Sequence, residues 1–286
     1  MDQADRLRML AGINTSSRRA RIISITSGKG GVGKSNISTN LASIYAKKGL
    51  KVLLIDADIG LGNANLLLGC RIDKTLDDVM NGETRIRDVF VATPMGFDLL
   101  PSSSGVRKLL ELDLFEQRAL MDRLQEVMQD YDIVIFDTAP GIGSHVLNFN
   151  SYAHDIVVVA HPEPTALADA YALIKVMSTE RQEKKFRLLI NRAQSAADGI
   201  DAFRKLTEVS SEFLNISIDY LGSLPEDVSV SKAVRSQATL FRSAPKSPFI
   251  TSLSRLGDKL LACTREEKPQ NRVLSSASTG GILRGA

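Results

Sequence analysis

The sequence contains no tryptophan, only two cysteines and only three histidines in 286 residues. Cys70 and Cys263 lie far apart with no CxxC, which excludes a disulfide scaffold and argues against a cysteine-only zinc or iron–sulfur site within one chain. His145, His154 and His161 are not spaced like a metal motif. No apolar run reaches the roughly 18–20 residues of a spanning helix. The first 21 residues carry Asp2 and Asp5 and no long apolar core, so they do not read as a secretory signal, and the expected compartment is the cytoplasm. An excess of one charge is also missing. Lys+Arg is 36 and Asp+Glu is 33, a formal net charge of +3, too slight to draw the chain to nucleic acid by charge alone. Direct DNA binding is therefore not expected.

What remains is the balance of an ordinary soluble protein, with 43% hydrophobic and 24% charged residues. A chain of this length buries a substantial core without staples, as one large α/β domain or two small ones. No internal repeat stands out. From Arg21 onward, short apolar, β-branched runs alternate with amphipathic stretches. The runs cover 22–26, 52–55, 97–100, 133–136, 156–160, 186–190 and 218–221. Several are almost unbroken hydrophobics, the pattern of parallel strands buried on both faces. Helical patterns cover 35–48, 114–129, 166–179, 199–213, 229–236 and 248–263. The alternation predicts an α/β fold, a doubly wound, mostly parallel sheet flanked by helices, in one domain over 21–264. Residues 265–286, rich in Ser, Gly, Arg and Lys, are expected to form a disordered tail. Residues 1–20 are expected to stand apart, as a brief helix over 2–11 and a linker over 14–20.

The most informative stretch is Gly28-Lys29-Gly30-Gly31-Val32-Gly33-Lys34-Ser35, which follows the first predicted strand and opens the first predicted helix. It fits two templates. Gly28, Gly30 and Gly33 satisfy the GxGxxG dinucleotide fingerprint, with Asp56 where a ribose-binding acid would sit. Gly28, Gly33, Lys34 and Ser35 satisfy the phosphate loop GxxxxGK[ST]. Two features favour the phosphate loop. Lys34 and Ser35 supply, in register, a cation for the β- and γ-phosphates and a hydroxyl for Mg²⁺, neither of which a dinucleotide fold needs. Asp137 stands at the C-terminal tip of the predicted strand 133–136, where an open α/β sheet places its ligands and a hydrated metal needs an acid. A nucleoside triphosphate and Mg²⁺ are the expected ligands.

With its extra lysine, Lys29, this loop resembles the deviant phosphate loop of the MinD/ParA family of P-loop ATPases. The resemblance covers about 21–263. It implies ATP and ADP as ligands, with Gly30, Gly31, Val32, Gly33, Lys34, Ser35 and Asn36 around the phosphates. It also implies that Lys29 reaches into the partner subunit's nucleotide site in an ATP-dependent homodimer. There an added cation in a dry interface stabilises the transferring phosphoryl group. Ile55-Asp56-Ala57-Asp58 is similar to the family's second acidic motif. By that likeness Ser35, Asp56 and Asp137 serve the metal and its waters, and Asp58 orients the attacking water. The plain alternative for Asp56 and Asp58 is an Asx turn ending a strand. Residues 59–65 correspond to a first switch segment. Asp137-Thr138-Ala139-Pro140-Gly141-Ile142-Gly143 correspond to a second, with the Gly141 backbone near the γ-phosphate. Asn191 ends a predicted strand with an amide that donates and accepts at once, as an adenine edge requires. Residues 222–227 resemble the family's adenine-contacting loop, with Pro225 and Asp227 as contacts, or else form a turn with a helix N-cap at Asp227 or Ser229.

Within the family, His161-Pro162-Glu163-Pro164-Thr165 and the residues on to Lys175 resemble the FlhG (FleN) branch, ATPases that govern where and how many flagella are built. The resemblance puts Glu163 and Asp169 near a dimer interface and partner surface, although Asp169 equally suits a solvent-facing helix position. Asp2-Gln3-Ala4-Asp5-Arg6-Leu7-Arg8 is similar to the DQAxxLR motif with which that branch activates the GTPase FlhF. The likeness assigns Gln3 the positioning of the partner's catalytic water, with Leu7 and Arg8 as docking contacts. Flagellar switch proteins or a flagellar transcription regulator are further implied partners, and the cell pole or inner membrane face an implied destination. One feature departs from the branch. Its usual terminal membrane helix needs a basic polar face and a solid apolar face. Here Phe249, Ile250, Leu253, Leu256, Leu260 and Leu261 form one stripe that suits a last core helix better than an anchor. Val273, Leu274, Ile282 and Leu283 add little, so membrane contact stays open. Two rival readings share these residues: a division-site or partition ATPase of the same fold, and a nucleotide-sensing antiactivator with little turnover. A nitrogenase-type reductase is excluded, because Cys70 and Cys263 do not supply its cluster ligands.

Overall fold

The computed structural model describes residues 20–58, 62, 64–102 and 114–264. Gln3, Leu7 and Arg8, residues 59–61 and 63 of the first switch segment, and the tail with Val273, Leu274, Ile282 and Leu283 lie outside the described residues. Among the described residues, eight strands form one sheet: β1 (Arg21–Ser27), β2 (Val52–Ala57), β3 (Val91–Ala92), β4 (Asp98–Leu100), β5 (Ile133–Pro140), β6 (Asp155–Ala160), β7 (Lys185–Ala193) and β8 (Ser217–Pro225). Their spatial order is β3-β4-β2-β5-β1-β6-β7-β8. Every pairing is parallel except that of the two-residue β3 with β4 at one edge. The helices are α1 (Lys34–Lys47), α2 (Ala64–Leu68), α3 (Leu76–Met80), α4 (Leu114–Met128), α5 (Ser144–Tyr152), α6 (Pro164–Glu180), α7 (Ala196–Phe213), α8 (Val228–Arg235), α9 (Leu240–Ser243) and α10 (Pro248–Ala262).

The unbroken apolar runs fold as central strands because helices cover both faces. In β5, Ile133 and Ile135 enter one core while Val134 and Phe136 enter another. In β6, Val157 and Val159 face the first core, and Ile156, Val158 and Ala160 face a third. Period-two alternation thus sorts residues that are all hydrophobic onto opposite sides. The seven predicted strand runs all fall on observed strands, with Phe97 just outside β4. The short β3, α2, α3 and α9 carry too few residues to show a period, and α5 was not legible either.

The last helix settles one expectation. Phe249, Ile250, Leu253, Leu256 and Leu260 are buried against Leu41 and Tyr45 of α1. Tyr45 donates to the Gly257 carbonyl at 3.0 Å. The stripe is therefore a core face. Among the described residues, no helix is long and apolar enough to cross a membrane.

At the N-terminal edge of the strands, Arg21 joins the start of this unit to its end. Its Nε donates to buried Asp155 at 2.8 Å, and its Nη1 donates to the carbonyls of Leu261 and Cys263 at 2.9 and 3.0 Å. Arg187 donates to the same carboxylate at 3.0 Å. The topology also marks where ligands go. The chain leaves β1 toward β2 on one side and later returns to lay β6 on the other, which makes β1 the switch point. Open α/β sheets bind ligands in the crevice at the carboxyl ends of the strands at such a point.

Candidate nucleotide site

The glycine-rich loop occupies that crevice, running from the tip of β1 into α1. Glycine is required at two of its positions for different reasons. A Cβ on Gly28 would lie 2.0 Å from the Asp169 carbonyl oxygen, so the loop packs directly on the backbone of α6. Gly33 caps α1 at φ 97°, a left-handed conformation that costs other residues energy. Lys34 then begins the helix and is 7% exposed, with Nζ donating to Ser27 Oγ at 2.8 Å. Ser27 Oγ in turn donates to the Lys29 carbonyl at 2.7 Å, closing the loop's neck. Burial lowers the Lys34 pKa, against the opposing pull of Asp137 and Asp58. Ser35 and Asn36 are half-buried, and Gly30 and Gly31 are exposed.

The acids converge because their strands are neighbours. Asp56 of β2 pairs in register with Asp137 of β5, and Asp137 also pairs with Ile25 of β1. Asp56 accepts from the backbone N–H of Asp58 at 3.2 Å and of Ala64 at 3.1 Å. This is an Asx-type closure, and it also anchors the end of the first switch segment. Burial first, and then the charge of Asp137, push the Asp56 pKa up to about 7. Asp137 accepts from Ser38 Oγ at 3.3 Å, while its Oδ2 is buried with no partner. Burial pushes Asp137 up to about 6, even though Ser35, Lys34 and Ser38 favour its charge. Two buried like charges and an orphaned oxygen are costly alone, and a cation relieves both. The donors here are hard oxygens, which suit Mg²⁺. Among the described residues no three His, Cys, Asp or Glu side chains form a metal cage. Mg²⁺ needs only one or two carboxylates where phosphates complete its shell.

Asp58 is half-buried just past β2, and its carbonyl accepts from Ser102 Oγ at 2.8 Å. Burial raises its carboxyl, and Lys34 and His145 oppose the rise. Asp58, Lys34 and Asp137 thus share one field. Gly141, at φ 95°, follows β5, and its N–H donates to the Ser27 carbonyl at 2.9 Å. Lys29 is exposed on the loop's rim and donates to Thr165 Oγ1 of its own chain at 3.3 Å. Glu163 is exposed at the N-cap of α6, and Asp169 is half-buried where Gly28 packs.

On the other side of β1, Asn191 and Pro225 stand at the adjoining tips of β7 and β8. Asn191 Nδ2 donates to the Val32 carbonyl at 2.8 Å, and its Oδ1 accepts from the Arg192 N–H at 2.9 Å. Asp227 is the N-cap of α8, accepting from Ser229 N at 2.8 Å. Burial alone would raise the Asp227 carboxyl. Its hydrogen bonds from Ser229, Phe249 and Ser247 more than reverse that and hold it low. Ser27 and Ser38 were not singled out from the sequence. Ser38 lies four residues after Lys34, one helical turn along the same face, and that spacing is the signal that could have found it.

A doubly wound sheet with a phosphate loop at its switch point, a buried lysine and two metal-suited acids defines a P-loop nucleoside-triphosphatase. Residues 20–190 match a family described as an AAA domain. The chain is 38% identical to the antiactivator FleN of Pseudomonas aeruginosa over 84% of this chain and 86% of that protein. It is 31% identical to the flagellum site-determining protein YlxH of Helicobacter pylori over 91% and 90% of the two chains. The solved septum site-determining protein MinD of Pyrococcus horikoshii, complexed with Mg-ADP, superposes with a TM-score of 0.70 at 23% identity, covering 84% of this chain and 96% of that one. The chain belongs to the FleN/FlhG branch of the MinD/ParA family of P-loop ATPases.

Proposed function

We propose that this ATPase regulates flagellar number and placement through an ATP-dependent dimer cycle and stimulates an FlhF-type GTPase. The flagellar half of the reading is supported by the two relatives, one a flagellum site-determining protein and one an antiactivator. The ATPase half rests on one observation: buried Lys34 and the register-paired Asp56 and Asp137 meet at one sheet edge.

In this reading the loop N–H groups of residues 30–36 and the Lys34 ammonium hold the phosphates of ATP or ADP. Ser35, Asp56 and Asp137 hold Mg²⁺ and its waters. When bound, Mg²⁺ neutralises phosphate charge and orients the transferring group. Asp58 orients the attacking water, and the Gly141 backbone senses the γ-phosphate. Asn191, Pro225 and Asp227 face the adenine. Lys29 leaves Thr165 and enters the partner's site in the dimer, while Glu163 and Asp169 border the partner surface. Gln3, Leu7 and Arg8 form the activator motif, and residues 1–20 and 265–286 flank the ATPase domain over 21–264. Flagellar switch proteins or a transcription regulator read the dimer, from the cytoplasm or at the cell pole.

A peptide of residues 1–20 is expected to raise FlhF GTP hydrolysis. A Gln3→Ala peptide that worked equally well would remove the activator role. The name of the Pseudomonas relative favours a second reading, an antiactivator that binds ATP and turns it over little. Phosphate release measured with and without partner separates the two: turnover that stays at background in both conditions selects the second.

A further inference from the structure

The Val32 carbonyl lies in the middle of the phosphate loop and is held from outside it. It accepts from Asn191 Nδ2 of β7 at 2.8 Å. Both residues are shut away from water, with Asn191 5% and Val32 1% exposed. Asn191 is itself immobilised, because its Oδ1 is taken by the Arg192 N–H. The fit to the loop is tight, since a Cβ on Gly33 would lie 2.5 Å from Asn191 Nδ2.

The Val32 carbonyl and the Gly33 N–H belong to one planar trans peptide and point in opposite directions. Whatever holds the carbonyl therefore aims the N–H. Gly33 sits at φ 97°, a glycine conformation with little barrier to turning that peptide over. A turned peptide would present an oxygen where the loop needs a donor.

We propose that Asn191 is a positioning residue, a side-chain donor that clamps the Val32 carbonyl and holds the phosphate loop in its binding shape before nucleotide arrives. The clamp rests on the ATPase reading of the loop, and it gives Asn191 a task that needs no base. Pre-ordering the loop spares the anion that cost on binding.

Inorganic tripolyphosphate with Mg²⁺ is the probe, because it has phosphates and no base. In calorimetry on the full chain, Asn191→Ala is expected to weaken tripolyphosphate about tenfold. If Asn191→Ala weakens ATP alone and binds tripolyphosphate as the parent does, the clamp is wrong and Asn191 serves only the base. A parent chain that binds neither ligand removes the site and the clamp together. Thermal melting of the ligand-free variant checks its fold. Nitrogen-15 spectra of the parent chain give an independent reading if the variant does not fold: the Asn191 side-chain amide is expected to be protected from solvent exchange without nucleotide, and rapid exchange overturns the clamp.

Discussion

Asp58 and Asp137 show how position separates two carboxylates of one site. Asp58 is half-buried, within the field of Lys34 and His145, and it helps hold Asp56 only through its backbone N–H, which the loss of its carboxylate leaves in place. Its removal should therefore spare the phosphate cradle. Asp58→Ala is expected to lower kcat at least about 100-fold while KM for ATP moves less than about threefold, measured by steady-state phosphate release. Asp137 and Asp56 are different, because both are shut away from water and both are raised, to about 6 and about 7. The unfolded reference for aspartate is about 3.9, so the metal-free folded chain binds protons that the unfolded chain has released. That contribution is whole below about pH 4 and is lost as pH rises through about 6 to 7. With metal chelated, the melting temperature is expected to fall between pH 5 and pH 8. Asp137→Asn should flatten that fall and melt a few degrees higher at pH 8, as read by scanning calorimetry.

At the scale of elements, the N-terminal edge of the sheet is tied by one buried carboxylate. Asp155, 4% exposed, pairs with Arg21 of β1 and Arg187 of β7, and Arg21 also reaches the carbonyls that end α10. Truncating it leaves Arg21 with two carbonyls and no counter-charge, and Arg187 with only the exposed Asp219 at 3.4 Å. Asp155→Ala is expected to cost about 3–5 kcal/mol, visible as a lower urea midpoint with little change in slope. A parent-like midpoint would mean that water reaches both arginines. The helices depend on smaller local devices. Ser195, Asp227, Thr239 and Ser247 each cap a helix N-terminus through a side-chain oxygen. At the functional end, α1 has no such side-chain cap, and Gly33 stands there instead. The free N–H groups of that helix start are what an anion needs.

For the whole molecule, the proposed dimer turns on one exposed lysine. Lys29 rests on Thr165 of its own chain through a long, exposed hydrogen bond, a contact worth little in water. Exchanging that contact for a partner's phosphates costs almost nothing. With a slowly hydrolysed ATP analogue, the Asp58→Ala chain is expected to double in mass by light scattering. Adding Lys29→Ala should return it to the monomer mass while analogue binding stays within about tenfold. A double variant that still pairs would show that Lys29 is not the cross-subunit cation.

Local chemistry was sufficient for much of this protein. GKGGVGKS announces a phosphate site because its spacing is the site: glycines for the turn, then Lys34 and Ser35 on the first helical turn. The buried strands and longest helices were legible because burial on both faces and the 3.6-residue period are written in consecutive residues. Only the tertiary structure decided what long-range neighbours do. Asp56 and Asp137 are 81 positions apart, and strand order alone sets them side by side. The stripe on α10 was ambiguous as sequence, because an apolar face does not say what covers it, and packing on α1 made it core. Asn191 showed an amide fit for a base, yet its hydrogen bond to Val32, 159 residues away, exists only because β7 ends beside the loop.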